Sequence, residues 1–110
     1  PDGSAVRDYV HVCDLAEVHR QAVEGEVSGA FNLGTGCGHS VWEVIEVCRR
    51  VTGQEIAVKA GERRAGDPPI LVASSEKVAA VFDWAPATDL EEIVRSAWKW
   101  HEAHPDGYGD

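Results

Sequence analysis

Arg7 and Tyr9 stand two residues apart in a β-rich run, Val6-Arg7-Asp8-Tyr9-Val10-His11-Val12. Alternate side chains of a strand share a face, so the spacing lets both point to one side. A guanidinium beside a phenol ring is a grip for something anionic and planar. The second stretch with chemical potential is Glu62-Arg63-Arg64-Ala65-Gly66-Asp67-Pro68-Pro69. An arginine presents a planar fork of donors that matches phosphate oxygens. Asp67 can accept hydrogen bonds from ribose hydroxyls. Gly66 lets the loop approach a ligand closely, and the two prolines stiffen its exit. Taken alone, this stretch is better described as a solvated charged loop with internal ion pairs.

Two other patterns carry less. Gly34-x-Gly36-x-Gly38 lies between an expected strand and a capped helix, where a dinucleotide fingerprint would sit. The fingerprint needs G-x-G-x-x-G, and His39 occupies the sixth position, so a tight strand-to-helix turn is the better reading despite Glu55 about 20 residues on. Cys37-x-His39, His11-x-Cys13 and His101-x-x-His104 lack the paired spacings of a structural zinc site.

Composition bounds the rest. A chain of 110 residues, 44% hydrophobic and 26% charged, is one domain or part of one. It has no methionine and starts at Pro1, from which a fragment or processed piece is expected. No apolar run approaches the ~18 residues of a membrane span, so a soluble chain without membrane association is expected. A net charge of −9 argues against nucleic acid, which needs a clustered basic surface. Three cysteines, Cys13, Cys37 and Cys48, fit reduced cytoplasmic thiols better than a disulfide framework.

The elements that must position these residues follow from periodicity and punctuation. Residues 6–12 read as a strand. Asp14 is placed to cap a helix over about 15–24. Residues 30–33 read as a short strand. Ser40 and Glu43 form a capping box opening a helix at Val41, which Gly53 ends. Residues 56–58 read as a strand, 60–69 as a loop and 75–81 as a short helix. Thr88 and Glu91 form a second capping-box candidate for a helix over 89–103, stopped at His104-Pro105. On that helix Trp98 belongs to the core stripe, and Trp100, about 200° round, faces elsewhere. The alternation of strands and helices is α/β, mixed α+β, with no linker or repeat; three short strands in 110 residues leave a core that leans on something else.

Three motifs, taken in order, resemble the C-terminal part of the UDP-glucose 4-epimerase branch of the extended short-chain dehydrogenases/reductases. They are Val6-Arg7-Asp8-Tyr9-Val10-His11-Val12-Cys13-Asp14-Leu15-Ala16, Phe31-Asn32-Leu33-Gly34-Thr35-Gly36-Cys37-Gly38-His39-Ser40-Val41, and Arg63-Arg64-Ala65-Gly66-Asp67-Pro68. The ending, from Trp98-Lys99-Trp100 to His104-Pro105-Asp106-Gly107-Tyr108, is also similar. With these in view, the ligand-binding reading of residues 62–69 displaces the solvated loop. The resemblance implies that residues 1–110 are the substrate-binding subdomain of an NAD-dependent parent, without its Rossmann half. Arg7 and Tyr9 would hold the nucleotide diphosphate and its surroundings, Arg64 the diphosphate, and Asp67 a ribose hydroxyl. Leu71 falls where the family lines the sugar pocket. The parent would be a cytoplasmic homodimer that moves a hydride between a UDP-hexose C4 and NAD through a 4-keto intermediate.

The family's Tyr-x-x-x-Lys pair is absent here, since Cys13 stands four residues after Tyr9 and Tyr108 is nearly terminal. The isolated chain is therefore expected to bind no NAD and to be inert. Two other readings share the residues. One is a portion of another NAD-dependent nucleotide-sugar enzyme, a dehydratase or decarboxylase. The other is a stand-alone, non-enzymatic nucleotide- or protein-binding module.

Overall fold

A computed structural model describes residues 2–109. Within it the chain reverses between extended and helical backbone wherever a cap or a glycine demands it. Three two-residue strands, β1 (Val6–Arg7), β2 (His39–Ser40) and β3 (Ile70–Leu71), form one sheet in the order β2-β1-β3. β1 runs antiparallel to β2, with Val6 opposite Ser40 and Arg7 opposite His39. It runs parallel to β3, with Val6 opposite Ile70 and Arg7 opposite Leu71. Pro69, which has no N–H, still contributes its carbonyl, accepting from Val6 N at 2.8 Å.

Four helices follow the strands: α1 (Val12–Glu24), α2 (Val41–Thr52), α3 (Glu76–Val81) and α4 (Leu90–Ala103). The capping box on α2 forms as expected, with Ser40 Oγ accepting from Glu43 N and the Glu43 carboxylate accepting from Ser40 N. Those hydrogen bonds, the one from the Ser40 backbone first, hold the Glu43 carboxyl below its ordinary range. Gly53 ends α2 in the left-handed region, at φ 65°.

Several expectations are corrected. The first strand stops at Arg7 rather than residue 12, because α1 already begins at Val12. Its cap is His11, whose Nδ1 accepts from Cys13 N at 3.0 Å. With Nδ1 accepting, Nε2 carries the proton and donates to Ser96 Oγ of α4 at 2.9 Å. Asp14 sits inside the helix instead. Its carbonyl accepts from Trp84 Nε1 and its carboxylate from the N–H groups of Ala87 and Thr88, which ties α1 to the segment leading into α4. Residues 30–33 and 56–58 are not strands; β2 and β3 lie elsewhere, at 39–40 and 70–71. The cap of α4 is Asp89, accepting from Glu92 N, not Thr88.

The core is thin. Val18, Val78 and Trp84 are buried together, with Phe31, Leu33 and Phe82 packed around them, and Leu90 is buried at the start of α4. α2 and α4 pack side by side. Trp98 is half-buried there rather than a core residue, lining an apolar cavity of about 340 Å3 with Cys48, Ile93 and Val94. Trp100 does face elsewhere, stacking on His104 with ring centroids 4.6 Å apart. The radius of gyration is 16.5 Å, against about 13 Å for a compact domain of this length. Ile70 and Leu71 are exposed, so the sheet leaves apolar surface uncovered.

One carboxylate gathers the sheet ends. Asp8 directly follows β1, and its Oδ1 accepts from Thr35 N at 2.9 Å and Thr35 Oγ1 at 2.6 Å. Its Oδ2 accepts from Gly36 N at 3.0 Å and Ala73 N at 3.2 Å. Gly34 makes this possible, since a Cβ there would lie 2.6 Å from both Asp8 Oδ2 and Ala73 Cβ. Burial pushes the Asp8 carboxyl up, but the hydrogen bonds from Thr35, Gly36 and Ala73 outweigh it and hold the group below 3.8.

Asp8→Ala strands three backbone donors and is expected to cost about 2 kcal/mol at neutral pH, read by urea unfolding. A depressed carboxylate contributes fully above its unfolded-state value of about 3.9, and the contribution is lost as pH falls through the folded-state value. The stability gap between the unaltered chain and Asp8→Ala is therefore expected to be constant near neutrality and to shrink below pH ~4. A gap independent of pH would contradict this account.

Candidate functional site

Arg7 leaves the sheet at the end of β1 and reaches a loop sixty residues away. Its Nη2 donates to Asp67 Oδ1 at 2.6 Å, and its Nη1 to the Val6 carbonyl at 2.7 Å. Arg64 Nη2 stands 3.5 Å from the other oxygen, Asp67 Oδ2. Arg63 Nη2 lies 3.4 Å from the Asp67 carbonyl. The turn itself is closed by Asp67 N donating to Arg64 O at 3.3 Å. The Arg7 and Asp67 side chains are 25% and 31% exposed, whereas that of Arg64 is 86% exposed. The pair between Arg7 and Asp67 is thus sheltered, and Arg64 is largely free to move onto a ligand.

Two cavities meet at this pair. One, of about 470 Å3, is lined by Trp42, Lys59, Arg63, Arg64 and Asp67. The other, of about 350 Å3, is lined by Arg7, Asp8, Leu33, Leu71 and Ala73. The two cavities together are lined by Arg7, Lys59, Arg63 and Arg64 and by Asp2, Asp8, Glu62 and Asp67, four cations to four carboxylates in a chain of net charge −9. The site is balanced where the chain as a whole is strongly acidic, and the guanidinium donors that Asp67 leaves over suit an anion.

The expected residues are therefore brought together, with one exception. Arg7, Arg64 and Asp67 converge, and Leu71 lies beside Arg7 through the register of β1 and β3. Tyr9 does not share a cavity with Arg7. The alternation that would align them ends with β1 at Arg7, and Tyr9 instead lines a cleft of about 850 Å3 with Thr35, His39, Trp42, Arg50 and Leu90. Trp42 borders both this cleft and the Arg64 cavity. Trp42, Lys59 and Asp8 also line these cavities, beyond the residues expected from the sequence. Only Asp8 had a signal, its place between Arg7 and Tyr9.

The glycine loop does not fit a dinucleotide. A phosphate cradle needs free N–H groups at the head of a helix. Here the N–H groups of Thr35 and Gly36 are committed to Asp8, and Gly34 N donates to Ser75 Oγ at 2.9 Å. No helix among the described residues is long and apolar enough to cross a membrane.

A family model described as GDP-mannose 4,6 dehydratase matches residues 1–97. The chain is 50% identical to a UDP-glucose 4-epimerase of Lacticaseibacillus casei and 53% identical to one of Halalkalibacterium halodurans. The matches cover 99% and 97% of this chain and 34% of each relative. A solved UDP-glucose 4-epimerase of Bifidobacterium longum, in complex with NAD+ and UDP, superposes with a TM-score of 0.88 at 33% identity. That match covers 98% of this chain and 33% of the other. The chain thus spans about a third of the length of the relatives it matches.

Because Asp67 accepts closely from Arg7 and more loosely from Arg64, it would compete with an anion for them. An ion pair that still reaches solvent, as this one does, contributes about 0.2–1 kcal/mol. Asp67→Asn is therefore expected to tighten inorganic pyrophosphate binding by about two- to fivefold, measured by calorimetry. Weaker pyrophosphate binding by the variant would show that Asp67 organises the arginines rather than competing for them.

Proposed function

The chain belongs to the family described as GDP-mannose 4,6 dehydratase, and from that premise we propose that it forms the nucleotide-sugar-binding portion of a UDP-glucose 4-epimerase. The observation that carries the proposal is the meeting of Arg7, Arg64 and Asp67 from positions up to sixty residues apart. In this reading Arg7 and Arg64 hold the diphosphate. Asp67 gives up the arginines to it and takes a ribose hydroxyl. Leu71, exposed and adjacent to Arg7, lines the sugar pocket, and Tyr9 borders the nucleotide from the neighbouring cleft. The charged groups thus grip the nucleotide, which does not react, and leave the sugar weakly held. Binding energy placed on the non-reacting part supports a reaction in which the sugar must present both faces.

The parent of this reading is a cytoplasmic, homodimeric, NAD-dependent member of the extended short-chain dehydrogenases/reductases. Its NAD and its acid–base residues belong to the two thirds of the relatives' length that this chain does not span. The description of the family model favours a second reading, a guanosine-diphosphate-sugar dehydratase. The relatives near 50% identity support the epimerase over it.

Calorimetric titration separates these readings. Two charge-assisted phosphate contacts without the remainder of the site predict a UDP dissociation constant on the order of millimolar. UDP is expected to bind at least as well as GDP, and Arg64→Ala to weaken UDP by about tenfold. Preference for GDP would favour the dehydratase. Absence of any nucleotide binding by the folded chain would leave a site completed only by the rest of the parent, or a protein-binding module. The purified chain is expected to show no UDP-galactose epimerisation with added NAD, and measurable turnover would refute its assignment as a binding portion alone.

A further inference from the structure

Asp8 stands between Arg7 and Tyr9 in the chain, yet among the described residues its hydrogen bonds go to neither. They go to Thr35, Gly36 and Ala73. Ala73 lies two residues beyond Leu71, and Leu71 is the register partner of Arg7. The carboxylate therefore closes a short ring: from Arg7 to Asp8, across to Ala73, back along the chain to Leu71, and across the sheet to Arg7. The same carboxylate anchors the glycine loop, whose Gly38 lies so close to Val6 and Val72 that a Cβ there would meet their methyl groups at 2.3 and 2.8 Å. β1 has only two residues, so its own ladder does little to fix the direction in which Arg7 leaves the sheet.

We infer that Asp8 is a positioning residue for nucleoside-diphosphate recognition: it sets the placement of Arg7 against Leu71 and so presents the Arg7 guanidinium to the diphosphate. This rests on the reading of the Arg7–Arg64–Asp67 site given above. The donor set explains why a carboxylate is needed. All four groups that converge on Asp8 donate, and an ionised carboxylate is acceptor-only at both oxygens. An asparagine can keep an oxygen at the Oδ2 position for Gly36 and Ala73, but it then turns its NH2 towards Thr35. It should restore part of what alanine removes. Asp8 itself remains a residue of the scaffold and reaches the ligand only through Arg7. Arg64, on the far loop and 86% exposed, has no such tie and should respond to ligand independently of Asp8.

The test follows the Arg7 and Arg64 side-chain Nε–H resonances and the Leu71 amide by NMR during UDP titration of the unaltered chain, Asp8→Ala, Asp8→Asn and Thr35→Ala. Misplacement of a binding group by about 1 Å is enough to cost an order of magnitude or more. At saturating UDP, where loss of affinity no longer hides either arginine, the shift change at Arg7 and Leu71 is expected to fall at least about fivefold in Asp8→Ala, to be partly restored in Asp8→Asn, and to persist at Arg64. If Asp8→Ala does not fold, Asp8→Asn and Thr35→Ala carry the test through partial losses at Arg7 alone. A folded variant in which Arg7 and Leu71 respond as in the unaltered chain overturns the proposal. So does one in which Arg7 and Arg64 lose their responses together. Should the unaltered chain show no UDP response, the nucleotide reading fails, and the ligand-free spectra still decide the positioning role. Asp8→Ala should then move the Arg7 resonance towards its position in Asp67→Ala, where the ion pair is gone; an unmoved resonance overturns it.

Discussion

The acceptance of four hydrogen-bond donors by the Asp8 carboxylate is the constraint on which the rest of the sheet depends. Three strands of two residues each contribute too few ladder bonds to hold their register alone. Asp8 supplies what they lack, because one ionised group can satisfy the backbone of two other segments at once. Its neighbours follow from it. Gly34 must be a glycine to admit the carboxylate, and the chain after β3 must pass close enough for Ala73 N to reach it. Arg7, held on the other side of the same peptide, is left to pair with Asp67.

The site is accordingly a product of the topology rather than of any one motif. The parallel pairing of β1 with β3 brings the loop of Arg64 and Asp67 to the start of β1, within reach of the Arg7 side chain. Both arginines rest on an internal carboxylate, that of Asp67. The thin core and the exposed Ile70 and Leu71 accord with a chain that covers only a third of its relatives' length.

Much of this was legible in the residues, for reasons that differ by element. Ser40, Glu43 and Gly53 announced α2 because caps are local chemistry, and the same is true of the stop at His104. The strands were not legible. Two residues have no period, so the apolar runs at 30–33 and 56–58 were better strand signals than the true ones at 39–40 and 70–71. β3 was hidden directly behind Pro68-Pro69, whose composition reads as turn. Arg7, Arg64, Asp67 and Leu71 do lie near one another, but only family resemblance joined them in the sequence, since nothing local connects positions 7 and 67. Tyr9 was misplaced by assuming that alternation outlasts the strand. The network of Asp8 was missed because a lone acid in sequence does not show which distant donors will converge on it.

The most direct test of the central claim is to join residues 1–110 to the complementary two thirds of the Lacticaseibacillus casei relative, in place of the matching third, and assay the purified chimera with UDP-galactose. The account predicts conversion to UDP-glucose, abolished when Arg7 and Arg64 are both replaced by alanine. A folded, NAD-loaded chimera that binds UDP-galactose without converting it, or that dehydrates the sugar instead, would contradict it.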